Sequence, residues 1–420
     1  MSADVAVIGA GAAGLVTARE LHRGGFRPVV FEQSNDVGGI WVYDEHVEDD
    51  ALGLASSRHV FSSLYPSLRT NLPRHLMAFM DFPFDARGGG EDDWPEYPHH
   101  TLVRTYLERF ARHFDLAQFI RFGERVVSVA PDGTRWRVAT QSASGQSADV
   151  FDSVVVANGH YSAPRVPDLP GLATLGEHAV HSHNYRGPEP YRDLRVAVWG
   201  TAASGADIAM EIGKCARSVH WCGDAFAERT GTVTPWGATL CASPVHADGN
   251  RLGLADGTHI EIDRFVFCTG YRYTFDFLGD GLIDVTDNYV HPLYREILAA
   301  SHPRLAFIGI PFLVVPFPLF EMQARWLVHF LSHPDDLPSA DIMLEDIRSH
   351  EAKLEAEGVR RRHFHKLAEK QEAYYNQLAN ECGQPPLPGW FQALANEAQA
   401  ARMANPSGFR DTPLKTTPPG

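Results

Sequence analysis

Three glycines near the N-terminus are spaced to hold the pyrophosphate of a dinucleotide. Gly9, Gly11 and Gly14 form a G-x-G-x-x-G turn, and Glu32 follows at the distance typical of this fingerprint. The first glycine permits a tight bend, the second lets the backbone approach the phosphates, and the third lets the next helix pack closely. The helix N-terminus offers N–H groups to the phosphates, and the carboxylate can accept from a ribose hydroxyl. These residues predict a first dinucleotide site.

A second turn of the same kind occurs near the middle of the chain. Gly200 and Gly205 match the outer glycines, Ala202 replaces the middle one, and Asp224 stands where Glu32 stands in the first unit. Alanine is small enough for the turn but slightly obstructs the approach of the backbone to a pyrophosphate. Two such units indicate two dinucleotides, usually a flavin and a nicotinamide.

Each turn needs a strand before it and a helix and a strand after it. The predicted elements are a strand at Asp4–Ile8, a helix to about His22 and a strand at Pro28–Phe31, then a strand at Arg195–Trp199, a helix to about Lys214 and a strand at Ser218–Cys222. Two further apolar strands, at 153–159 and 264–270, bracket the second unit and each end in a small residue, a polar residue and glycine. We expect them to mark where the chain leaves the first domain and returns to it.

Six segments resemble those of the flavin-containing monooxygenases. They are GAGAAG at 9–14, GGIW at 38–41, LYPSLRTNLPRHLMAFMDFPF at 64–84, HSHNYR at 181–186, FCTGY at 267–271 and EMQARW at 321–326. The fourth resembles the end of the family motif F-x-G-x-x-x-H-x-x-x-Y/F: His181 and Tyr185 match, while Leu175 and Glu177 replace Phe and Gly. One such segment can arise by chance, but six in the right order, over nearly the whole chain, are similar to this family.

The resemblance implies a fold and a domain order. The fold class is α/β, with two Rossmann-like dinucleotide-binding domains, the nicotinamide domain inserted into the FAD domain, and a helical C-terminal region. The predicted boundaries are 1–163 for the first part of the FAD domain, 164–274 for the NAD(P) domain, and 275–420 for the second part with the C-terminal helices. Residues 343–383 are predicted to be helical, and 88–93 to be a flexible surface loop.

The resemblance and the two turns together imply a set of functional residues. Asn71 is the predicted catalytic residue, since it matches the asparagine that the family places beside the flavin. The predicted cofactor contacts are Gly9, Gly11, Ala12, Ala13, Gly14, Glu32, Gly39, Ile40, Trp41, Thr70, Asn71, Leu72, Tyr185, Gly200, Ser204, Gly205, Asp207, Asp224 and Gln323. For Tyr185, as for His181, a structural role and a cofactor contact both stay open.

The resemblance also implies the reaction. A nicotinamide reduces FAD, dioxygen adds to the flavin, and the resulting C4a-hydroperoxide oxygenates a soft nucleophile, an amine nitrogen or a sulfide, of a small molecule. The site must be dry and must offer fixed hydrogen-bond partners. The Asn71 amide suits this need because it donates and accepts without titrating. An asparagine in such a loop can also simply stabilise a turn, but the matching Y-x-S-L-x-T-N context favours the catalytic role.

This chemistry needs no metal and no acid–base pair. We therefore interpret His59, His99, His100 and His183 as surface or locally hydrogen-bonded histidines.

Three alternatives remain open at this stage. Ketone oxygenation of the Baeyer–Villiger type is disfavoured, because the comparable motif of those enzymes carries Trp where this chain has Tyr185. An NAD(P)H oxidase or flavin reductase would consume nicotinamide without productive oxygenation. A non-enzymatic flavoprotein is disfavoured by the phosphate turns in both units.

The choice between NADPH and NADH is also open. The family usually prefers NADPH and reads its 2′-phosphate with a basic residue after the second strand of the nicotinamide unit. Here Ser218–Cys222, Gly223 and Asp224 contain no Arg or Lys, and a carboxylate would repel the phosphate. Alternatively, Arg217 or Arg229 folds over it. We expect strict NADPH preference to be lost.

Composition limits the partners and the location. The chain has 420 residues, 37 basic against 52 acidic, and a net charge of −15, which argues against binding to nucleic acid or to anionic membranes. The longest apolar run, 305–320, is interrupted by three prolines and is too short to span a bilayer. Five scattered cysteines without C-x-x-C indicate reduced thiols in a cytoplasmic protein and exclude a dithiol–disulfide flavoenzyme. A strand that begins at Asp4 or Val5 leaves no room for a cleaved signal peptide. A homodimer is left open.

Overall fold

A computed structural model of the chain describes residues 3–55 and 60–418. Its strands are β1 (Asp4–Ile8), β2 (Arg27–Glu32), β3 (Ile120–Phe122), β4 (Arg125–Asp132), β5 (Arg135–Ser142), β6 (Gly145–Phe151), β7 (Ser153–Val156), β8 (Ala179–His181), β9 (Arg195–Trp199), β10 (Ser218–Cys222), β11 (Thr239–Cys241), β12 (Pro244–Asp248), β13 (Arg251–Leu254), β14 (His259–Glu261), β15 (Arg264–Phe267), β16 (Asp284–Thr286), β17 (Tyr289–His291), β18 (Leu293–Tyr294), β19 (Leu298–Ala299) and β20 (Leu305–Phe307). Its α-helices are α1 (Ala12–Arg23), α2 (His100–His113), α3 (Ala203–Ile212), α4 (Pro316–Ser332), α5 (Ala340–Ala356), α6 (Gln371–Glu381) and α7 (Gly389–Ala404).

The first sheet collects strands from both ends of the chain. Its order is β18-β19-β20-β7-β1-β2-β3, and the five strands from β20 to β3 are parallel. The residues of β1 and β7 are almost completely buried, as expected of parallel strands covered on both faces. Their carboxyl ends form one edge, where α/β sheets bind ligands.

The second sheet is built from the chain between β7 and β20. Its order is β11-β10-β9-β15-β8, and all of its strands are parallel. Three antiparallel pieces, β4-β5-β6, β12-β13-β14 and β16-β17, complete the structure. The predicted α/β class with one dinucleotide unit inserted into the other is confirmed. The exact domain boundaries stay predictions.

A buried arginine ties the first helix to the rest of the core. Arg19 on α1 is 2% exposed, and it donates to Asp81 and to Glu321 of α4 at 2.6 Å each. Its guanidinium also lies 5.0 Å from the ring centroids of Phe110 and Phe114. A charge so deeply buried is stable only when paired. The Glu of EMQARW therefore anchors α4 against α1.

Of two sequence-based predictions of local structure, one is confirmed and one was wrong. Residues 343–383 are largely helical, as predicted, and fall into two helices, α5 and α6, because the chain turns at Gly358, whose φ is +72°. The predicted flexible loop at 88–93 is packed: a Cβ at Gly89 would lie 2.5 Å from the Phe82 ring and 2.6 Å from the Tyr106 ring. These glycines allow close contact, and their composition alone had indicated flexibility.

The remaining sequence expectations concern membranes and cysteines. Across the described residues, none of the helices combines the length and the apolarity that crossing a membrane requires. All five cysteines are free, and four of them are buried. The cytoplasmic location and the homodimer stay predictions.

The packing at Gly89 yields a stability prediction. Gly89→Ala should destabilise the protein by about 1–3 kcal/mol, because the new methyl group would overlap the rings of Phe82 and Tyr106. Denaturant unfolding of the two proteins measures the difference.

The matched control is Gly389→Ala at the start of α7, where a Cβ meets nothing within 4 Å. This variant should be neutral or slightly stabilised, since alanine favours a helix. Equal stability of both variants would contradict the packed interpretation of 88–93.

Candidate active site

The first glycine turn admits nothing larger than hydrogen at two positions. Gly9 has a φ of +103°, and a Cβ there would lie 2.7 Å from the carbonyl oxygen of Ala157. A Cβ at Gly14 would lie 1.8 Å from the carbonyl oxygen of Gly9. The start of α1 therefore sits directly against the end of β1, and its N-terminal N–H groups face the carboxyl edge of the sheet.

The GGIW segment closes over this turn. It forms a 3₁₀ turn at Gly39–Trp41, and the Gly38 N–H donates to the carbonyl of Ala10 at 3.0 Å. A Cβ at Gly39 would lie 2.9 Å from the Cα of Gly11. Two backbones without side chains thus meet at the place where a pyrophosphate needs close access.

Glu32 holds the carboxyl end of β2 in place. Its Oε2 accepts from the Ala10 N–H at 2.8 Å, and its Oε1 accepts from the N–H and hydroxyl of Ser34 at 2.8 Å each. Beside it opens a cavity of about 290 Å³, whose lining includes Gln33, Ser34 and Arg125. A carboxylate oxygen has two lone pairs, so Oε2 of Glu32, which accepts one hydrogen bond, retains acceptor capacity.

The second turn repeats the geometry of the first. Gly200 has a φ of +137°, and a Cβ there would lie 2.1 Å from the carbonyl oxygen of Cys268. A Cβ at Gly205 would lie 1.9 Å from the carbonyl oxygen of Gly200. Ala202 caps α3 with φ −80° and ψ −173°, against −75° and −175° for Gly11. Since this φ is negative, alanine fits at this position without strain; Thr201 and Ser204 also replace Ala10 and Ala13 of the first turn.

The acidic residue after β10 has a basic neighbour from a distant part of the chain. Asp224 accepts from the Ser243 hydroxyl at 2.5 Å, and its Oδ2 lies 3.9 Å from Nη1 of Arg360. Arg217 precedes β10 and so lies at the amino end of the sheet, away from the carboxyl edge. Arg229 lies over the ring of Phe226 at 5.6 Å. No residue near Asp224 in the sequence indicates that Arg360 lies beside it in the structure.

Asn71 lies in a loop that is fixed on both sides of it. The buried Thr70 donates from its N–H to the carbonyl of Pro98 at 2.9 Å and from its hydroxyl to that of Leu72 at 2.8 Å. Within residues 3–55 and 60–418, the Asn71 amide itself makes no hydrogen bond. Leu72 packs into the core on the other side. The loop therefore presents an asparagine whose donors and acceptor have no partner among the described residues.

A wall of aromatic and histidine side chains joins segments of the chain that lie far apart in sequence. The Ser63 hydroxyl donates to the carbonyl of Tyr161 at 2.7 Å and lies 2.9 Å from Nδ1 of His183. Tyr271 contacts Tyr161 edge-on, with ring centroids 5.8 Å apart. Tyr161 is 46% exposed, yet burial raises the pKa of its hydroxyl.

His181 is a structural link in this wall. Its Nδ1 accepts from the His183 N–H at 3.1 Å, so its Nε2 carries the proton and donates to the Gly270 carbonyl at 3.1 Å. Burial lowers its pKa to about 3, and the ring stays neutral at physiological pH. It thereby fastens the HSHNYR segment to FCTGY.

Three predicted cofactor contacts have their polar atoms engaged elsewhere. Tyr185, 1% exposed, donates its hydroxyl to Glu211 at 2.8 Å. Gln323 is fully buried; it accepts from the Gly309 N–H and donates to the Tyr374 hydroxyl, both at 2.9 Å. Asp207 pairs with Arg410 at 2.6 Å. These three side chains hold protein segments in place, and their contacts with a cofactor stay predictions.

The other predicted contacts fall on the two turns and the loop. Ala12 and Ala13 are buried in the first turn of α1, Ile40 lies between Gly39 and Trp41, and Ser204 is exposed in the first turn of α3. Of the histidines not assigned a role, His99 caps α2, His100 and His183 are buried, and His59 lies outside the described residues. Among the described residues, no group of His, Cys, Asp or Glu could hold a metal ion.

Comparison with known proteins settles the family. A model for flavin-binding monooxygenase-like proteins matches residues 2–232 and 250–394. The chain belongs to this family. The resemblance predicted from the six segments is confirmed.

Individual relatives match over almost their whole length. The chain is 42% identical over 421 residues to an Arabidopsis thaliana protein named flavin-containing monooxygenase FMO GS-OX5, with coverage of 98% of this chain and 91% of the relative. The S-allyl-L-cysteine S-oxygenase from Allium sativum is 38% identical and superposes with a TM-score of 0.92, covering 98% of this chain and 95% of that one. Tmm from a Pelagibacter strain, at 24% identity and a TM-score of 0.84, shares the fold. The chain is therefore a flavin-dependent monooxygenase by family.

The two turns predict separable losses of function. Gly14→Ala should yield protein with little or no bound flavin, because the methyl group forces α1 away from the turn at Gly9. Gly205→Ala should retain the flavin but lose its reduction by a nicotinamide. Flavin absorbance of the purified protein and anaerobic reduction measure the two effects.

Gly389→Ala serves as the control, since it adds the same methyl group in open space. Loss of flavin in the Gly205 variant with retention in the Gly14 variant would reverse the assignment of the two units.

Proposed function

We propose that the chain is an FAD- and NAD(P)H-dependent S-oxygenase of small sulfides. The observation that carries the proposal is the likeness to the Allium S-oxygenase over nearly the whole of both chains. The overall change transfers one oxygen atom of dioxygen to sulfur, while the second leaves as water with two electrons supplied by the nicotinamide. An amine nitrogen is the second candidate acceptor. Ketone oxygenation is disfavoured by Tyr185, and the likeness to cyclohexanone monooxygenase, at 16% identity, concerns the fold alone.

The chain's residues fit FAD at the first turn. Gly9, Gly11 and Gly14 would leave room for a pyrophosphate, with Gly39 packed against Gly11, and Glu32 would accept from a ribose hydroxyl. Bound FAD would supply the electron transfer and the activation of dioxygen. The turn at Gly200–Gly205 would hold the pyrophosphate of the nicotinamide.

The protein's own part in the reaction is to orient and to exclude water. Asn71 offers an amide that donates and accepts and that makes no hydrogen bond within the described part of the chain. Burial keeps His181 neutral, so this ring adds no charge to the wall that Ser63, Tyr161 and Tyr271 form. Oxygen transfer to sulfur requires no proton from such a group, and this wall would serve as a packed boundary.

The first prediction from this proposal concerns Asn71. Wild-type protein should convert small alkyl sulfides to sulfoxides with nicotinamide consumption coupled to product. Asn71→Ala should keep its flavin but lose at least about tenfold in sulfoxide formation, about 1.4 kcal/mol. Its peroxide release should rise, since the amide that orients the oxygen-transferring centre is gone. Product and peroxide per nicotinamide consumed are the measurements.

Asn396→Ala is the control, an exposed asparagine of α7 that bonds only to Gln392. Wild-type protein that releases only peroxide with every sulfide and amine would contradict the function and support an oxidase. A fully active Asn71→Ala would contradict only the role of that residue.

The second prediction concerns the nicotinamide. We propose that the ribose 2′-position is read jointly by Asp224 and Arg360. The carboxylate can accept from a free hydroxyl and repels a phosphate, whereas the guanidinium fork holds a phosphate strongly. Wild-type preference for NADPH should stay below about a hundredfold, roughly 2.7 kcal/mol. Arg360→Ala should lower this preference and Asp224→Asn should raise it, as measured by flavin reduction with each nicotinamide.

The control is Arg348→Ala, an equally exposed arginine that pairs with Glu345 on α5. A preference above a hundredfold that Arg360→Ala leaves unchanged would show that another basic residue binds the phosphate.

A further inference from the structure

A short turn near the C-terminus packs beside the loop that carries Asn71. After α7 the chain forms a 3₁₀ turn at Phe409–Asp411. Phe409 is 2% exposed and meets the ring of Tyr97 edge-on, with centroids 5.2 Å apart. The buried ring fixes the place of the next residue, Arg410.

The Arg410 side chain bridges two separate parts of the molecule. On one side, its Nε donates to the carbonyl of Thr70 at 2.8 Å and its Nη2 to that of Arg69 at 3.4 Å. On the other side, Nη1 and Nη2 donate to the two carboxylate oxygens of Asp207 at 3.1 and 2.6 Å. Both charged side chains are largely buried. Asp207 lies on α3, the helix that the second glycine turn begins.

Arg69 makes the reciprocal contacts. Its guanidinium donates to the carboxylate of Asp411 at 2.8 Å, to the carbonyl of Arg410 at 3.1 Å and to that of Tyr97 at 3.1 Å. The loop and the C-terminal turn therefore hold each other through two arginines. A surface ion pair contributes little alone, but these contacts fix backbone carbonyls as well as carboxylates.

A second tie between the same loop and α3 reinforces the first. The Ser67 hydroxyl donates to Glu211, whose other carboxylate oxygen accepts from Tyr185. The loop before Asn71 is thus bound to α3 at two points along the helix, Asp207 and Glu211. Of these two ties, only the one at Asp207 is made by a residue of the C-terminal turn, Arg410.

We infer that Arg410 is a positioning residue that couples the orientation of the nicotinamide helix α3 to the placement of Asn71. The carbonyls it holds belong to the two residues that precede Asn71, so a shift of Asp207 moves that peptide directly. A guanidinium is required because one group must serve a bidentate carboxylate and two carbonyls, which the ammonium of lysine cannot do at once. The part of this inference that concerns oxygen transfer at Asn71 rests on the proposed function.

The first test measures the loop itself and does not depend on turnover. Arg410→Lys keeps the charge but removes the fork. In this variant the backbone amides of 64–72 should exchange with deuterium about twofold to tenfold faster than in wild type, with and without flavin. Arg402→Gln is the control, because Arg402 lies over the same Phe409 ring at 5.9 Å but touches neither the loop nor Asp207. Unchanged exchange at 64–72, or a rise spread over the whole chain, would overturn the inference.

The second test measures the coupling. Arg410→Lys and Asp207→Asn should each raise peroxide released per nicotinamide by about twofold to tenfold, and the double variant should be no worse than the single ones. If the fold-change in peroxide release of the double variant equals the product of the two single fold-changes, the link between the two residues is overturned. Faster exchange at 64–72 with unchanged peroxide release would overturn the link to Asn71. If wild type oxygenates nothing, the proposed function fails, while the exchange experiment still decides what Arg410 does to the loop.

Discussion

The close contact between a helix and the strand before it is the constraint on which both binding units depend. In each unit the third glycine lies so near the carbonyl of the first that a Cβ would sit less than 2 Å from it, 1.8 Å at Gly14 and 1.9 Å at Gly205. Steric repulsion at such distances cannot be relieved by a side-chain rotation, because the opposing atom belongs to the backbone. The helix N-termini therefore reach the carboxyl edges of the sheets, and every other residue of the site is arranged around these two fixed points.

Around the turns, family motif residues act mainly on other protein segments. His181 donates to Gly270, Gln323 holds Gly309, and Glu321 pairs with the buried Arg19. Each of these side chains is almost completely buried, so its hydrogen bonds are worth more than on the surface and their loss would leave a buried polar group unpaired. The family motifs therefore include residues that join protein segments as well as residues of the glycine turns.

Local patterns predicted much of this arrangement, and distant contacts escaped them. The two turns and their strands could be predicted because glycine spacing and apolar runs act over about 30 residues, whereas Asn71 rests on the family resemblance and its role stays a prediction. Arg410 and Arg360 could not, since their partners Asp207 and Asp224 lie far away in sequence and nothing near either arginine signals the pairing. The glycines at 88–90 were misjudged for a related reason: composition does not distinguish a glycine that permits motion from one that permits packing.

The interleaving of the two sheets also affects the order in which the chain can fold. All strands of the second sheet lie between Ala179 and Phe267, so it can complete its hydrogen bonds while later residues are still being synthesised. The first sheet cannot, because Val154 of β7 pairs with Leu305 of β20. Such long-range pairing is slow and leaves a strand edge exposed until its partner arrives. The newly made protein therefore passes through a stage in which the nicotinamide unit is formed and β7 still has an unpaired edge.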